Sequence, residues 1–150
     1  MSGGAPAGAA PRSSSDYPWL PDIDWAPVAP FWAAAREQRL VFPRCGRCGR
    51  FQWYPQDMCP DCRVMAFEWT EVNPSGYVFS HTTLRRSFVP NFENLLPLPI
   101  VLIKFVHAPG VTLVTNVLDA PESGVHIDAE VSVVFPEVAP GVSLPMARLC

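Results

Sequence analysis

The chain has 150 residues, 49% of them hydrophobic and 17% charged, with a formal net charge of −3. That suits one folded domain, or two small ones sharing a core, and offers no general attraction to nucleic acid. No apolar run approaches the roughly 20 residues that span a bilayer. The N-terminus has one basic residue, Arg12, and no apolar stretch of the secretory kind. The expected setting is therefore cytoplasmic, without membrane contact. Thiols stay reduced there, and paired cysteines are more often metal ligands or redox groups than structural disulfides.

Residues 1–29 read as an arm. The opening MSGGAPAGAAPRSSS is too poor in bulky apolar groups to offset the entropy of ordering, so disorder is expected. The next stretch, DYPWLPDIDWAPVAP, sets Tyr17, Trp19, Leu20, Ile23 and Trp25 among four prolines. Proline disfavours helix interiors and central strands. An extended arm lying on a surface, this chain's own or a partner's, fits that mixture. Pro30 is a good first-turn residue. The following FWAAAREQRL places Phe31, Ala34, Ala35, Gln38, Leu40 and Val41 loosely on one side of a helix that Pro43 should stop.

The span 30–65 is read as this helix plus a cysteine ribbon, and 66–150 as β structure. The runs FEWTEV, YVFSHTTL, IVLIKFV, VTLVTNVL and VSVVF are rich in β-branched and aromatic residues. Turn signals separate them at Pro74-Ser75-Gly76, Ala108-Pro109-Gly110, Pro121 to Gly124 and Pro140-Gly141. Five or six short strands without helices between them predict a small closed barrel in a mainly β protein. One irregular piece, SFVPNFENLLPLP (87–99), is apolar for a loop, and loops of that length are usually functional or interfacial. Phe88, Phe92, Leu95 and Leu96, with Trp19 and Trp25, are the candidate partner-facing residues. The alternative is that they cover the chain's own core.

Four of the five cysteines form two C-x-x-C pairs, Cys45/Cys48 and Cys59/Cys62, ten residues apart. Each pair can present two thiolates from one knuckle, and two knuckles complete a tetrahedron for one structural Zn²⁺. FQWYP should form the first strand of a hairpin between them. A thioredoxin-like redox pair needs one C-x-x-C opening a helix in a βαβ unit, which is not the context here. A rubredoxin-like iron centre, and with it an electron carrier, uses the same four thiolates and stays open. Four closed positions leave no site for catalysis at the metal.

The charges are uneven. Arg36, Arg39, Arg44, Arg47, Arg50 and Arg63 face only Glu37, Asp57 and Asp61 within 31–63, a formal +3, whereas 64–150 carries four basic and eight acidic groups. The arginines either offset a zinc-thiolate charge of about −2 or form an anion site. Arg85 and Arg86 end the YVFSHTTL run and, with Arg47, Arg50 and Arg63, are the candidate ligand-binding residues. No catalytic set emerges. His81, His107 and His126 are isolated; no nucleophile elbow or phosphate loop appears. Glu68 and Glu71 are three apart on a strand and so face opposite ways. Cys150 reads as an unpaired tail thiol.

The order of helix, two-knuckle ribbon and β-barrel resembles the DUF35-type zinc-ribbon/OB-fold family of acyl-CoA-associated proteins. The residues carrying the likeness are Phe31-Trp32 through Arg39-Leu40, CGRCGRFQWYP, Cys59-Pro60-Asp61-Cys62, Trp69 with Val72 leading to Gly76-Tyr77-Val78-Phe79-Ser80-His81-Thr82, Val114-Thr115-Asn116-Val117 and VSVVF. His81 stands where an aromatic residue is usual, and Asp128 where a glycine often precedes the last strand. The resemblance implies a rubredoxin-like zinc ribbon followed by an OB-type barrel. It also implies a non-catalytic accessory subunit of a hetero-oligomer in lipid metabolism. The catalytic partner would be a thiolase-like or lipid-transfer-type subunit, or a steroid side-chain retro-aldolase, and acyl-CoA the shared ligand. A nucleic-acid-binding ribbon/OB module is the competing reading, which the acidic balance disfavours.

Overall fold

The computed structural model describes residues 20–90 and 92–150. The reading of 1–15 as disordered, and of Trp19 as partner-facing, lies outside the described residues. Helix α1 spans Ala29–Arg36 and buries Phe31, Ala34 and Ala35, with a proline in its first turn. It is shorter than expected. The amide of Arg39 donates to the Ala34 carbonyl and that of Gln38 to the Ala35 carbonyl. This is a Schellman end with Gln38, at φ 62°, in the left-handed place usually held by glycine. Leu40 and Val41 then leave the helix for strand β1 (Val41–Cys45), and Pro43 lies in that strand rather than ending the helix.

Strand β2 (Phe67–Glu71) pairs antiparallel with β1, Val41 opposite Glu71 and Cys45 opposite Phe67. FEWTEV thus belongs to a two-stranded ribbon sheet and not to the barrel. The larger sheet contains β3 (Ser75–Leu84), β4 (Leu98–Lys104), β5 (Thr112–Asn116), β6 (Glu130–Val134) and β9 (Met146–Leu149), in the order β5-β4-β3-β6-β9. Three consecutive strands and a fourth returning beside the first make a Greek key. The hairpin β7 (Glu137–Ala139) and β8 (Val142–Ser143) lies between β6 and β9.

The barrel is not closed by a ladder as expected. Among the described residues its two edges are joined by a parallel bridge, Val117 to Ala147, a bond from the Leu118 amide to the Ala147 carbonyl, and the Thr115 hydroxyl donating to the Pro145 carbonyl. Asp119 turns to φ 51° directly afterwards, which takes the chain off the sheet edge. Asp128 also sits at positive φ, 64°. An aspartate tolerates the left-handed region better than most residues, which accounts for its place where relatives were expected to carry glycine.

One core joins helix, ribbon and barrel. It contains Phe31, Leu40 and Phe42 together with Val78, Ile103, Phe105, Val131 and Ala147. The Phe42 and Phe105 rings lie 5.5 Å apart, and Trp53 lies 4.5 Å from Phe31. A second, smaller cluster under β7 and β8 packs Val138, Val142 and Met146, with Ile23 of the arm against it. The strands cross closely at Gly76, where an added Cβ would lie 2.7 Å from both the Ile103 side chain and the Lys104 carbonyl. Gly76→Ala should therefore lower stability by about 1–3 kcal/mol. Urea unfolding tests this, and an unshifted midpoint would contradict it.

Candidate metal centre

Two matching turns build the centre. In the first, the Cys45 amide donates to the Arg50 carbonyl (2.8 Å) and the Gly49 amide to the Cys45 carbonyl (2.9 Å). In the second, the Cys59 amide donates to the Val64 carbonyl and the Arg63 amide to the Cys59 carbonyl, each at 2.9 Å. Gly49 (φ 74°) and Arg63 (φ 56°) hold equivalent left-handed positions. Glycine fits such a position freely; an L side chain there is strained by about 1–2 kcal/mol. Arg63→Gly should stabilise the metal-loaded protein by roughly 0.5–1 kcal/mol, after allowance for glycine's larger unfolded entropy. A lower unfolding midpoint would mean that the Arg63 side chain contributes more than its strain removes. The expected hairpin between the turns is absent; Phe51 makes only an isolated bridge to Arg44 of β1.

The four Sγ atoms of Cys45, Cys48, Cys59 and Cys62 all lie within 4.8 Å of one another. Cys45–Cys62 is 3.5 Å and Cys48–Cys59 is 3.6 Å. A disulfide is about 2.05 Å. Tetrahedral zinc at about 2.3 Å from each sulfur places sulfurs roughly 3.8 Å apart. The donor set therefore fits a structural tetrathiolate metal ion. Cys45, Cys48, Cys59 and Cys62 would hold it, and what it supplies is cross-linking of the two turns.

Without a cation the thiols titrate far apart. The Cys48 amide, hydrogen-bonding to the sulfur, holds Cys45 down to about 6. Burial, reinforced by the neighbouring Cys45 sulfur, pushes Cys62 up to about 12. Cys48 is also raised: the Arg50 amide lowers it, but burial and the adjacent Cys59 and Cys45 outweigh that pull. At pH 7 a metal must displace protons from at least Cys48 and Cys62. Apparent affinity should then climb by at least about 100-fold per pH unit near neutrality. Competition titration against a chelator at pH 6.5, 7 and 7.5 measures the slope, and a flat profile would refute it.

The surrounding arginines are not equivalent. Arg50 bridges the turns through Asp61 (2.6 Å), which raises its pKa, and the Cys59 and Cys48 thiolates add to that. Arg50 thus fits the charge-offsetting role. Arg44 donates to the Gly49 carbonyl and lies over the Phe51 ring. Arg47 and Arg63 are exposed, and their side chains make no hydrogen bond or ion pair among the described residues. Arg85 pairs with Glu122, and Arg86 is exposed beyond the end of β3. No hydrogen bond or ion pair joins these two groups of arginines among the described residues.

Of the candidate partner-facing residues, Phe88 is 100% exposed. Phe92, Leu95 and Leu96 are half-buried around a single 3-10 turn. Trp25 is 50% exposed and stacks on Tyr54. Phe79 is a further exposed ring. A register shift between Val78 and Ser80 makes it the bulged residue of β3, half exposed beneath the Lys104 ammonium. An alternation pattern cannot show a bulge. A cleft of about 360 Å³ opens on the first turn, lined by Arg44, Cys45, Arg47, Cys48, Glu68 and two glycines.

A four-cysteine ribbon sharing its core with a partly open Greek-key barrel defines the class: a zinc-ribbon/OB-fold protein. Family models agree. The rubredoxin-like zinc ribbon domain of ChsH2 matches residues 32–68, and the ChsH2 C-terminal OB-fold domain matches 69–136. The chain belongs to this ChsH2, or DUF35, family. It is 29% identical over 119 residues to a probable enoyl-CoA hydratase alpha subunit of Thermomonospora curvata, covering 79% of this chain but only 36% of that protein. It is 26% identical over 106 residues to a DUF35 domain-containing scaffold protein of Methanocaldococcus jannaschii, covering 69% and 73% of the two chains. Among solved structures, a chain of the Ltp2-ChsH2(DUF35) aldolase matches with a TM-score of 0.74 and 27% identity, covering 86% of this chain and 98% of that one. A DUF35 protein of Sulfolobus solfataricus shares the fold, with a TM-score of 0.56 and 17% identity. No described helix is long and apolar enough to cross a membrane.

Proposed function

We propose that this chain is a non-catalytic accessory subunit of a thiolase-superfamily complex, either a lipid-transfer-type thiolase or a steroid side-chain retro-aldolase. It carries one structural zinc, acts in the cytoplasm, and helps its partner hold an acyl-CoA. The observation that carries the reading is the likeness to the ChsH2 chain of an aldolase whose name joins it to a second component, Ltp2, across nearly the whole of that chain. The site chemistry supports it. A closed four-thiolate centre has no open position for substrate, and His81, His107 and His126 are all exposed.

Co-expression with a thiolase-like subunit tests the reading. A stable complex is expected on size exclusion, with CoA-thioester turnover that falls when this chain is left out. A monomeric chain with no effect on the partner's activity would overturn it. Ligand contact is tested in the assembled complex with charge-removing variants. Arg86→Gln, Arg47→Gln or Arg63→Gln, whichever contacts the nucleotide, should raise KM for the full thioester several-fold through a lost charge-assisted bond. A truncated thioester without the nucleotide should be unaffected. Arg85→Gln also breaks the Glu122 pair, and Arg50→Gln the Asp61 pair. If every variant treats both substrates alike, the partner alone holds the nucleotide.

A further inference from the structure

The two cysteine turns share one backbone design but not one environment. Cys45 is 2% exposed and Cys59 is 0% exposed. Cys62 is half-buried, and Cys48 is exposed. Cys48 lines the cleft of about 360 Å³ that opens on the first turn, together with Cys45, of which only 2% is exposed. That volume readily admits a peroxide or a small electrophile. Arg44 and Arg47 line the same cleft. The Cys59 sulfur, which solvent does not reach, lies 3.6 Å from that of Cys48.

We propose that Cys48 is a redox modification site: the reactive thiolate through which hydrogen peroxide, or a related hydroperoxide, opens the metal centre. The inference rests on the metal reading above and adds which sulfur reacts, with what, and in which order. With a metal bound, Cys48 is deprotonated at neutral pH. Its sulfur attacks one peroxide oxygen. An S–O bond forms, the O–O bond breaks, and hydroxide leaves and takes up a proton as water. Cys48 is then a sulfenic acid. The Cys59 thiolate attacks that sulfur; an S–S bond forms, the S–O bond breaks, and a second hydroxide leaves as water. Two thiolates have given two electrons to one peroxide, and two protons have come from solvent. The sulfurs need to close by only about 1.5 Å to reach disulfide length. A centre that loses two of four ligands cannot keep its ion. Cys45 and Cys62 remain as a dithiol, so the change is reversible by thiol exchange.

The test uses the full-length, metal-loaded chain carrying Cys150→Ser, which removes the other exposed thiol. Substoichiometric N-ethylmaleimide followed by peptide mass mapping should label Cys48 about tenfold over Cys45, Cys59 or Cys62, as accessibility dictates. Titration with hydrogen peroxide should release one metal ion per chain to a chromophoric chelator and yield a Cys48–Cys59 linked peptide. Dithiothreitol and added zinc should restore the starting mass and metal content. A Cys45–Cys62 disulfide forming first, labelling spread evenly over the four thiols, or metal retained after Cys48 is oxidised would each overturn the proposal while leaving the metal reading intact. A preparation with no bound metal would overturn both.

Discussion

Cys59→Ser is expected to abolish metal binding and to destabilise the whole chain, not the ribbon alone. Cys59 is fully buried and supplies one of four sulfurs in a cluster 4.8 Å across. A serine hydroxyl is a poor, shorter and protonated substitute for a thiolate. Structural zinc sites of this kind contribute on the order of 10–16 kcal/mol to the folding of isolated zinc-binding peptides, comparable with the entire stability of a typical domain. The sequence, with its ribbon and barrel in separate spans, predicts loss of the ribbon and survival of much of the barrel. The shared core argues otherwise. Phe42 is 0% exposed and stands against Phe105 of the barrel, while Phe31 of the helix packs on Phe42 and Trp53. Releasing β1 would uncover these rings together with one side of the barrel. A single broadened or lowered thermal transition is therefore expected, with metal content falling from one per chain to none. Two well-separated transitions, the upper at the wild-type temperature, would show that the barrel stands alone. A variant with full metal content would remove Cys59 from the ligand set.

The sequence showed the chemistry of this centre more clearly than its architecture, and the reason is local. Two C-x-x-C pairs state their ligand set through spacing alone, because each turn is closed by bonds within six residues, from Cys45 to Arg50 and from Cys59 to Val64. The strands β3 to β6 were equally legible, since their β-branched runs lie between turn residues. What failed to show was non-local. β2 carries the same β-forming residues whether it pairs with β1 or with β3, and only tertiary packing decides. β9 reads as MARL, without β-branched residues, yet it supplies the edge that meets Val117. The end of α1 was hidden because Gln38 occupies a position that glycine usually marks. Among the partner-facing candidates, composition could not separate exposed from half-buried residues. Only the structure distinguishes Phe88 from Phe92, Leu95 and Leu96.

That distinction sets the expectation for association. Phe88→Ala should weaken the complex with the catalytic partner about 30-fold, the effect of losing an aromatic anchor of about 2 kcal/mol, and leave the isolated chain's stability unchanged. Phe88 is 100% exposed, so it contributes nothing by burial to this fold. A large ring held wholly in water gains on the order of 2 kcal/mol when a partner covers it. The chain around it explains the placement. Phe92, Leu95 and Leu96 are half-buried on the C-terminal side of Phe88, and the Ser87 hydroxyl, which accepts from the Val89 amide, closes a local turn around it. Phe92→Ala should behave differently, since its ring is partly packed in the monomer: it should lower stability as well as affinity. Comparing the two variants separates interface from scaffold. Binding is read by titration calorimetry or surface capture of the partner subunit, and stability by urea unfolding of the chain alone. Wild-type affinity for Phe88→Ala would place the interface elsewhere, with the exposed Trp25–Tyr54 pair and the bulged Phe79 as the surfaces to examine next.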